Sequence, residues 1–182
     1  MDLKLITAPT ASPIDATDLK YHLRLDGTDH DLYIPGLIEA GTKRVELFTN
    51  RKLVTQTWEI YGKSFKDIID MVIPLGQTQS IVSVKYADSD GVEQTVSSDE
   101  YALIFPGCDG AKITFDTGYA LPDVSWDGCV TVRFVCGYGA ASAVPDTIKS
   151  AIRLVCGDLF DGRDNGRAIE SLLAPYKLHF FS

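Results

Sequence analysis

The sequence has few of the features that mark nucleic-acid-binding, secreted or membrane proteins. Its 17 Lys and Arg are outnumbered by 25 Asp and Glu, which gives a formal net charge of −8. Because affinity for phosphates depends on clustered cations that release counterions, this balance argues against a protein that wraps nucleic acid. No apolar run approaches the roughly 20 residues of a membrane helix, and MDLKLITAPT does not read as a signal peptide. We therefore expect a cytosolic protein.

Residues that could hold a metal or a cofactor are sparse as well. The three histidines lie far apart, and none belongs to a nucleophile motif. GYGAAS at 137–142 lacks the third glycine of a dinucleotide fingerprint, and DGRDNG at 161–166 lacks the closing Glu of a calcium loop. The sequence therefore predicts no catalytic, metal or cofactor site. With no CxxC pair and no histidine at metal-ligand spacing, buried or half-buried free thiols are expected at Cys108, Cys129, Cys136 and Cys156, although their even number also allows disulfides.

Two helices are predicted after an extended N-terminal segment rich in Pro, Thr, Ala and Ser. Asp15 is a good N-cap for a short helix that runs to about Arg24. After the turn LDGTD, Asp29 can cap a second helix. Pro35-Gly36 lies in the first turns of that helix, so we expect a kink or a later start. The second helix is indicated by apolar residues at helical spacing: Ile34, Leu37, Ile38, Val45 and Phe48.

From Leu53 the apolar period changes to two, which is typical of strands. The clearest hairpin is YADSDGVEQTV, where Asp90-Gly91 supplies the turn. Its alternation predicts one packed face and one wet face. Trp58 and Trp126 are expected in the core or on a strand face. The predicted strands lie in TQTWEIYG, DMVIPL, SIVSVKYAD, VEQTVS, EYALIF, AKITF and CVTVRFVCG.

The helical period returns in DTIKSAIRLVCGDLF, which starts at Pro145 or Asp146. The polar DGRDNGR that follows reads as a loop, and AIESLLAPYKLHFFS as a short helical turn, a Pro stop and an apolar tail. An apolar chain end needs a surface on which to bury itself. The tail therefore either folds back on its own domain or docks on a neighbour.

These patterns together predict an α+β fold. Its small helical bundle consists of the two N-terminal helices plus the late helix, and an antiparallel β-rich lobe is inserted between them. We expect an N-terminal arm and helices at 1–52, the β-rich lobe at 53–140, and a C-terminal helix with a docking tail at 141–182. Residues 1–52 and 141–182 should pack as one unit.

The order of several segments carries a resemblance over nearly the whole chain. The segments are LKLITAPTASPID, HLRLDGTD, TNRKLVTQTWEI, VSVKYADSDGVEQTV, VTVRFVCGYGAASAVPDTIKSAIRLVCGDLFDGR and SLLAPYKL. Together they resemble the head–tail connector (adaptor, or head-completion) proteins of tailed bacteriophages and prophages, in a long form with a β-rich insertion. GYG…VPDTIKSAI and LLAPYKL are the most specific parts. The sequence departs from that pattern at Pro35-Gly36, where an uninterrupted helix is usual.

The resemblance implies a non-enzymatic virion protein of the neck, assembled in the host bacterial cytoplasm. About twelve copies would form a ring under the portal protein and connect the DNA-filled head to the tail. Further partners would be stopper or tail-terminator proteins, with no cofactor and no membrane. A monomer would assemble only where the portal supplies a template. An acidic ring would let DNA pass without specific binding.

Two terminal segments are the expected contact elements. An extended arm suits an adjacent subunit because prolines reduce the entropy lost on docking, and its contacts are expected at Leu3, Leu5, Ile6, Pro9 and Pro13. In similar adaptors the C-terminal segment reaches into the portal, and Tyr and Phe are efficient hot-spot residues. The resemblance therefore implies a portal-docking tail at Pro175, Tyr176, Lys177, Leu178, His179, Phe180 and Phe181.

Two alternatives remain open at this point. One is a stopper or tail-completion protein of the same neck, with a similar mixed build. The other is a small enzyme or ligand-binding domain that uses the β lobe as its pocket, which requires polar groups with perturbed ionisation in one cavity.

Overall fold

The computed structural model describes residues 2–69, 71–126 and 128–178. It shows four α-helices, a five-stranded antiparallel sheet and a two-stranded sheet, so the predicted α+β class is confirmed. Within the described ranges, no helix is both long enough and apolar enough to cross a membrane.

The chain forms two compact units. A β unit comprises the described residues of Met1–Ala8 and Thr55–Gly137, and a helical unit comprises those of Pro9–Val54 and Tyr138–Ser182. The first residues therefore belong with the sheet, whereas the sequence analysis placed the whole of 1–52 with the helices. The reason is that Asp2–Thr7 finds its hydrogen-bond partner in a strand about fifty residues later, which local pattern does not reveal.

The helical unit packs four helices around an apolar core. The most deeply buried residues come from every helix and include Leu19, Ile34, Val45, Ile148, Ile152 and Leu173. In the predicted late helix, the apolar residues at helical spacing are buried as far as Cys156, whereas Leu159 near its end is 44% exposed. The helices are α1 (Ala16–Leu23), α2 (Ile34–Thr49), α3 (Asp146–Asp161) and α4 (Gly166–Leu173).

The two N-terminal helices begin for different reasons. The Asp15 carboxylate accepts a hydrogen bond of 2.7 Å from the backbone N–H of Asp18, which confirms the predicted cap of α1. The predicted cap at Asp29 is wrong, because α2 begins only at Ile34, after Tyr33. Pro35 lies in the first turn of α2, where its missing N–H removes no helical bond. The expected later start is therefore confirmed.

Helices α2 and α3 approach closely at Gly41. A Cβ atom added there would lie 2.6 Å from the Cys156 Sγ atom, closer than real contacts allow. Cys156 Sγ in turn donates to the Leu37 carbonyl at 3.4 Å. A glycine on α2 facing a small residue on α3 thus sets the separation of the two helices.

The C-terminal part is more helical than the sequence indicated. The predicted short turn is the two-turn helix α4, followed by a 3-10 turn at Ala174–Tyr176. Asp158 Oδ2 accepts a 2.9 Å bond from the Asn165 N–H, and Asp158 Oδ1 accepts one from the Asn165 side-chain amide. These bonds tie the loop between α3 and α4 to α3.

The β unit is built on one five-stranded antiparallel sheet with the order β1-β2-β7-β3-β4, beside the two-stranded sheet β5-β6. In β7, buried and half-buried residues alternate along the whole strand, whereas in β4 of the predicted hairpin all three residues are exposed. The strands are β1 (Asp2–Thr7), β2 (Gln56–Gly62), β3 (Thr78–Ala87), β4 (Glu93–Thr95), β5 (Tyr101–Ile104), β6 (Lys112–Phe115) and β7 (Val130–Cys136).

The packed face of the sheet forms a second apolar core. Its buried residues include Ile60 of β2, Val84 of β3, Ile113 of β6, and Val132 and Phe134 of β7. Phe65 packs edge-on against Phe115 at 5.5 Å between ring centroids. Each unit therefore has its own core, as a separate domain requires.

One predicted strand is absent. DMVIPL contains no strand among its described residues, only an isolated bridge between Val72 and Lys112. Pro74 has no N–H to donate to a ladder, which accounts for the interruption.

The hairpin between β3 and β4 is confirmed. Gly91 adopts φ +77°, the left-handed conformation that the turn needs. The Asp88 carboxylate accepts hydrogen bonds from the backbone N–H groups of Asp90 and Val92 and from the Gln94 side chain. These bonds hold the pKa of Asp88 below its usual value, the Gln94 bond having the largest effect.

Candidate functional site

The described part of the C-terminal tail folds back onto the end of α2. The Leu178 N–H donates to the Thr49 carbonyl at 2.9 Å, and the Asn50 side-chain amide donates to the Leu178 carbonyl at 3.2 Å. Arg51 Nε donates to the Tyr176 carbonyl. The Lys177 ammonium lies 5.0 Å from the centre of the Phe48 ring. The tail is thus fixed in direction up to Leu178.

The end of α2 is shaped to receive this segment. Asn50 adopts the left-handed conformation at φ +55° and closes the helix with a bond from its N–H to the Glu46 carbonyl. The turn leaves the Thr49 carbonyl available to the tail, and Arg51 is only 5% exposed. Of the predicted docking residues, Pro175 and Lys177 are exposed and Tyr176 and Leu178 are half-buried. His179, Phe180 and Phe181 lie outside the described residues.

The predicted arm divides between the two units. Leu3, Leu5 and Ile6 lie in β1, an edge strand of the sheet, with Leu3 and Leu5 40% and 43% exposed. Pro9 is exposed, whereas Pro13 is buried in the helical unit. The expected arm is therefore a strand paired within its own chain, because polar and apolar residues alternate over 2–5 and β2 offers an open ladder.

The sheet presents β1 and β4 at its two edges. Leu3 lies opposite the buried Ile60, so Leu3 and Leu5 point to the packed face and extend it past the end of the core. At the other edge, Gln94 lies opposite Tyr86 on the same face, and Val92 is 54% exposed. Both edges thus combine unpaired backbone groups with partly exposed apolar side chains.

A buried carboxylate joins three strands on the opposite face of the sheet. Glu59 is 8% exposed and lies between Lys4 of β1 and Arg133 of β7 in the strand register. Arg133 donates two bonds to Glu59 Oε1, and the Tyr61 hydroxyl donates to Oε2 at 2.6 Å. Burial alone would raise the pKa of Glu59, but the bonds from Tyr61 and Arg133 outweigh it, so the pKa is lowered. The Glu59 bond raises the pKa of Tyr61 to about 12.

Two grooves on the described part of the helical unit, of about 900 and 390 Å³, share His22 and Arg24. Burial and the neighbouring Arg153 lower the pKa of His22. Arg153 is paired with Asp18 at 2.6 Å, and Arg163 with Asp161 at 2.8 Å. Carboxylates of the same chain therefore engage Arg153 and Arg163, which reduces the positive charge that these two side chains offer to an anionic ligand.

The three histidines do not come together among the described residues. His22 lies on α1, and His30 packs against the Phe160 ring at 5.4 Å between ring centroids. His179 falls outside the described ranges. No group of three or more His, Cys, Asp or Glu side chains in the described part of the chain is placed to hold a metal ion.

The cysteines and tryptophans partly contradict the sequence analysis. All four cysteines are free thiols, with Cys136 and Cys156 buried but Cys108 and Cys129 exposed. Trp58 is half-buried against the sheet core, whereas Trp126 is 96% exposed, so its expected core or strand-face position is wrong. Trp126 follows Ser125, whose carbonyl accepts a hydrogen bond of 3.0 Å from the Gly128 N–H.

The negative charge is concentrated in the β unit. That unit's sequence contains 13 Asp and Glu against 6 Lys and Arg, whereas the helical unit contains 12 against 11. Composition alone did not reveal this difference, because it depends on which segments fold together.

No protein-family model matches the chain, and no curated protein sequence matches it. Solved structures do match over its full length. A chain of "Neck of empty GTA particle computed with C6 symmetry" is 19% identical with a TM-score of 0.80, and the match covers 100% of this chain and 98% of that chain.

Two further structures agree. A chain of "Virion of native gene transfer agent (GTA) particle" is 21% identical with a TM-score of 0.79. A chain of "Neck of native GTA particle computed with C12 symmetry" is 19% identical with a TM-score of 0.73. Both matches cover 100% of this chain and 98% of the other. The chain therefore shares the whole fold of these particle components.

Proposed function

We propose that the chain is an adaptor of a phage or prophage neck, which forms a ring under the portal protein and connects the DNA-filled head to the tail. The observation that carries this proposal is the full-length likeness, at a TM-score of 0.80, to a chain in the neck of a gene transfer agent particle. The order of sequence segments that resembles head–tail connectors supports it independently.

The proposed role is structural. The ring would have about twelve copies, in keeping with the C12 symmetry of one neck structure that contains a similar chain. The excess of carboxylates in the β unit suits a protein that DNA passes without binding. The copies would assemble on the portal in the host cytoplasm, since many weak contacts add up once a template holds neighbours in place.

The C-terminal tail is proposed to dock on the portal. Residues Tyr176–Leu178 are pinned to Thr49, Asn50 and Arg51, which would hold the chain end in one direction and reduce the entropy lost on docking. The apolar residues Phe180 and Phe181 would then supply the anchor.

A deletion of residues 179–182 tests this role. It leaves the contacts of Tyr176–Leu178 intact, so the protein should fold with an unchanged melting temperature and fail to co-sediment with portal rings. A matched variant with Phe180→Ser and Phe181→Ser keeps the chain length and should fail in the same way. Portal binding by both variants would contradict the docking role of the tail.

A stopper or tail-completion protein of the same neck is the second candidate, favoured by the same full-length structural match. The two roles differ in their partners. In pull-down experiments with the purified full chain, an adaptor captures portal rings without other neck proteins. Capture of a tail-terminator protein together with failure to bind the portal would assign the stopper role instead.

A further inference from the structure

The two edges of the five-stranded sheet are complementary to each other. We infer that β4 of one copy pairs in parallel with β1 of the next copy, so that the sheets join around the ring. The inference rests on the proposed ring, and it names the surface by which the copies meet. Four observations lead to it: the number of strands, the side chains on each face, the direction of the free backbone groups and the charges.

The number of strands sets the direction of pairing. In an antiparallel sheet with the order β1-β2-β7-β3-β4, the odd number of strands makes both edges run the same way. The copies in a ring are related by rotation about the ring axis, so a given strand makes the same angle with that axis in every copy. A β4 edge therefore meets the next β1 edge in parallel, whereas a two-fold dimer through β1 would pair antiparallel.

The side chains match when residues 3–5 of one copy, which precede the irregularity between Leu5 and Thr7, lie beside residues 92–94 of the other. On the packed face, the half-exposed Leu3 then covers Val92, which is 54% exposed, and Leu5 lies beside Gln94. The shared face would extend the apolar layer from one sheet to the next.

The charges on the other face also match in this register. Lys4 lies opposite Glu59 on β1's wet face, and Glu93 bonds with Lys85 on β4's wet face. The Glu93 side chain is 68% exposed and would lie beside Lys4 of the neighbouring copy. Opposite charges on adjacent strands stabilise the pair and oppose a slipped register.

The backbone of β4 is free to accept a strand. The Val96 N–H donates to the Val84 carbonyl at 2.9 Å, and the Val92 carbonyl accepts from the Asp88 N–H. Because bonding direction alternates along a strand, residues 93 and 95 direct their N–H and C=O groups to the open edge. Such an edge is a template for strand addition unless it is covered.

Cysteine cross-linking tests the contact and its direction. Cys108 and Cys129 are first changed to Ser, and one protein receives Lys4→Cys while another receives Glu93→Cys. Adjacent strands lie about 4.8 Å apart, within disulfide reach. The two proteins are mixed under a mild oxidant, once at high concentration alone and once on portal rings. The expected product is the mixed dimer in excess over both homodimers.

Matched variants distinguish cross-linking through strand pairing from cross-linking by chance collision. Leu47→Cys, at a 77% exposed position on α2, gives the background yield with Glu93→Cys. Thr95→Pro removes one edge N–H without touching the bonds to β3 and should lower the mixed yield about tenfold. Thr95→Val keeps that N–H and should retain the yield. Circular dichroism checks that both variants fold.

Two outcomes overturn the inference: an excess of the Lys4→Cys homodimer, which indicates a two-fold contact, or no mixed dimer above background in either setting. Portal co-sedimentation of the same proteins is a separate measurement. Portal binding without mixed dimers would reject the strand contact and leave the adaptor role in place. Mixed dimers without portal binding would support the strand contact and reject the adaptor role.

Discussion

Arg133 donates two hydrogen bonds to the Oε1 atom of Glu59, one of 2.8 Å from Nε and one of 2.6 Å from Nη2. The pair joins β2 to β7, the central strand of the sheet, and the Tyr61 hydroxyl adds a hydrogen bond from the same strand as Glu59. A carboxylate this buried is stable only while its partners remain, so the cluster should control how the β unit responds to acid.

Glu59 should make unfolding depend on pH in the acid range. Its folded-state pKa lies below the ordinary value of 4.5, so its stabilising effect is complete above about pH 4.5 and is lost as pH falls through the folded pKa. Glu59→Gln should cost about 1–2 kcal/mol at neutral pH, and less of that difference should remain in acid. Urea unfolding from neutral pH to about pH 3 measures both effects. Glu39→Gln, in an exposed pair with Lys43, is the control and should change little. Equal losses of unfolding free energy in Glu59→Gln and Glu39→Gln would contradict a stabilising role specific to Glu59.

Tyr61 should titrate later than an ordinary tyrosine. The bond to Glu59 favours its neutral form and raises the pKa to about 12. Stability from this bond is complete below the unfolded value near 10 and is lost as pH rises through about 12. Burial also raises the pKa of Tyr101 and Tyr119, so more than one tyrosine should titrate late. Tyrosinate absorbance should lose one late-titrating group in Tyr61→Phe, and an unchanged titration in that variant would contradict the effect of Glu59 on Tyr61.

Gly41→Ala should destabilise the helical unit. The added Cβ would meet Cys156 Sγ at 2.6 Å, and forcing the helices apart costs about 1–3 kcal/mol. Gly36→Ala in the same helix has nothing within 4 Å and should stabilise by about 0.5–1 kcal/mol. Thermal unfolding compares the two. Adding Cys156→Ala should restore part of the loss at Gly41, and failure to do so would place the clash elsewhere.

Asp15→Ala should cost about 1 kcal/mol, because the Asp18 N–H loses its acceptor at the start of α1. Asp29 resembles a cap in the sequence but precedes no helix start in the structure. Asp29→Ala should therefore stay within about 0.5 kcal/mol of the unmodified protein. Chemical denaturation distinguishes them, and a larger loss at Asp29 would mean that it caps α2 after all.

Two of the four thiols should react quickly with a colorimetric thiol reagent. Cys108 and Cys129 are exposed, whereas Cys136 and Cys156 are buried, and burial raises the pKa of Cys156 to about 11. All four should react after denaturation, since only the thiolate attacks and unfolding restores access. The double variant Cys108→Ser and Cys129→Ser should lose the fast phase completely, and a remaining fast phase would reveal opening of one of the cores.

Elements with strong local signals were predicted well. Asp15 and Pro145 mark the starts of α1 and α3, and Gly91 marks the β3–β4 turn, because caps and turns depend on bonds between residues a few positions apart. Asp29 also resembles an N-cap in the sequence, but α2 begins only at Ile34, so that prediction was wrong. Trp126 was misplaced because exposure depends on what packs nearby, which no local pattern reports.

The candidate contact surfaces were predicted less completely. The apolar alternation of Leu3 and Leu5 is visible in the sequence, but its reading as a free arm missed the pairing with Trp58 and Ile60. Likewise, the sequence left open whether the tail folds back. Only the structure supplies the bonds of Leu178 and Tyr176 to the end of α2.

By itself, then, the sequence determined the class of fold, the periods of its helices and strands, most of their ends and the excess of acidic charge. Those properties follow from local geometry and composition, which are the same wherever a segment lies. The tertiary structure decided which strands form the edges of the sheet, where the charge is concentrated and how the tail is held as far as Leu178. Each of these depends on contacts between residues far apart in the chain, whose energies arise only when the whole unit folds.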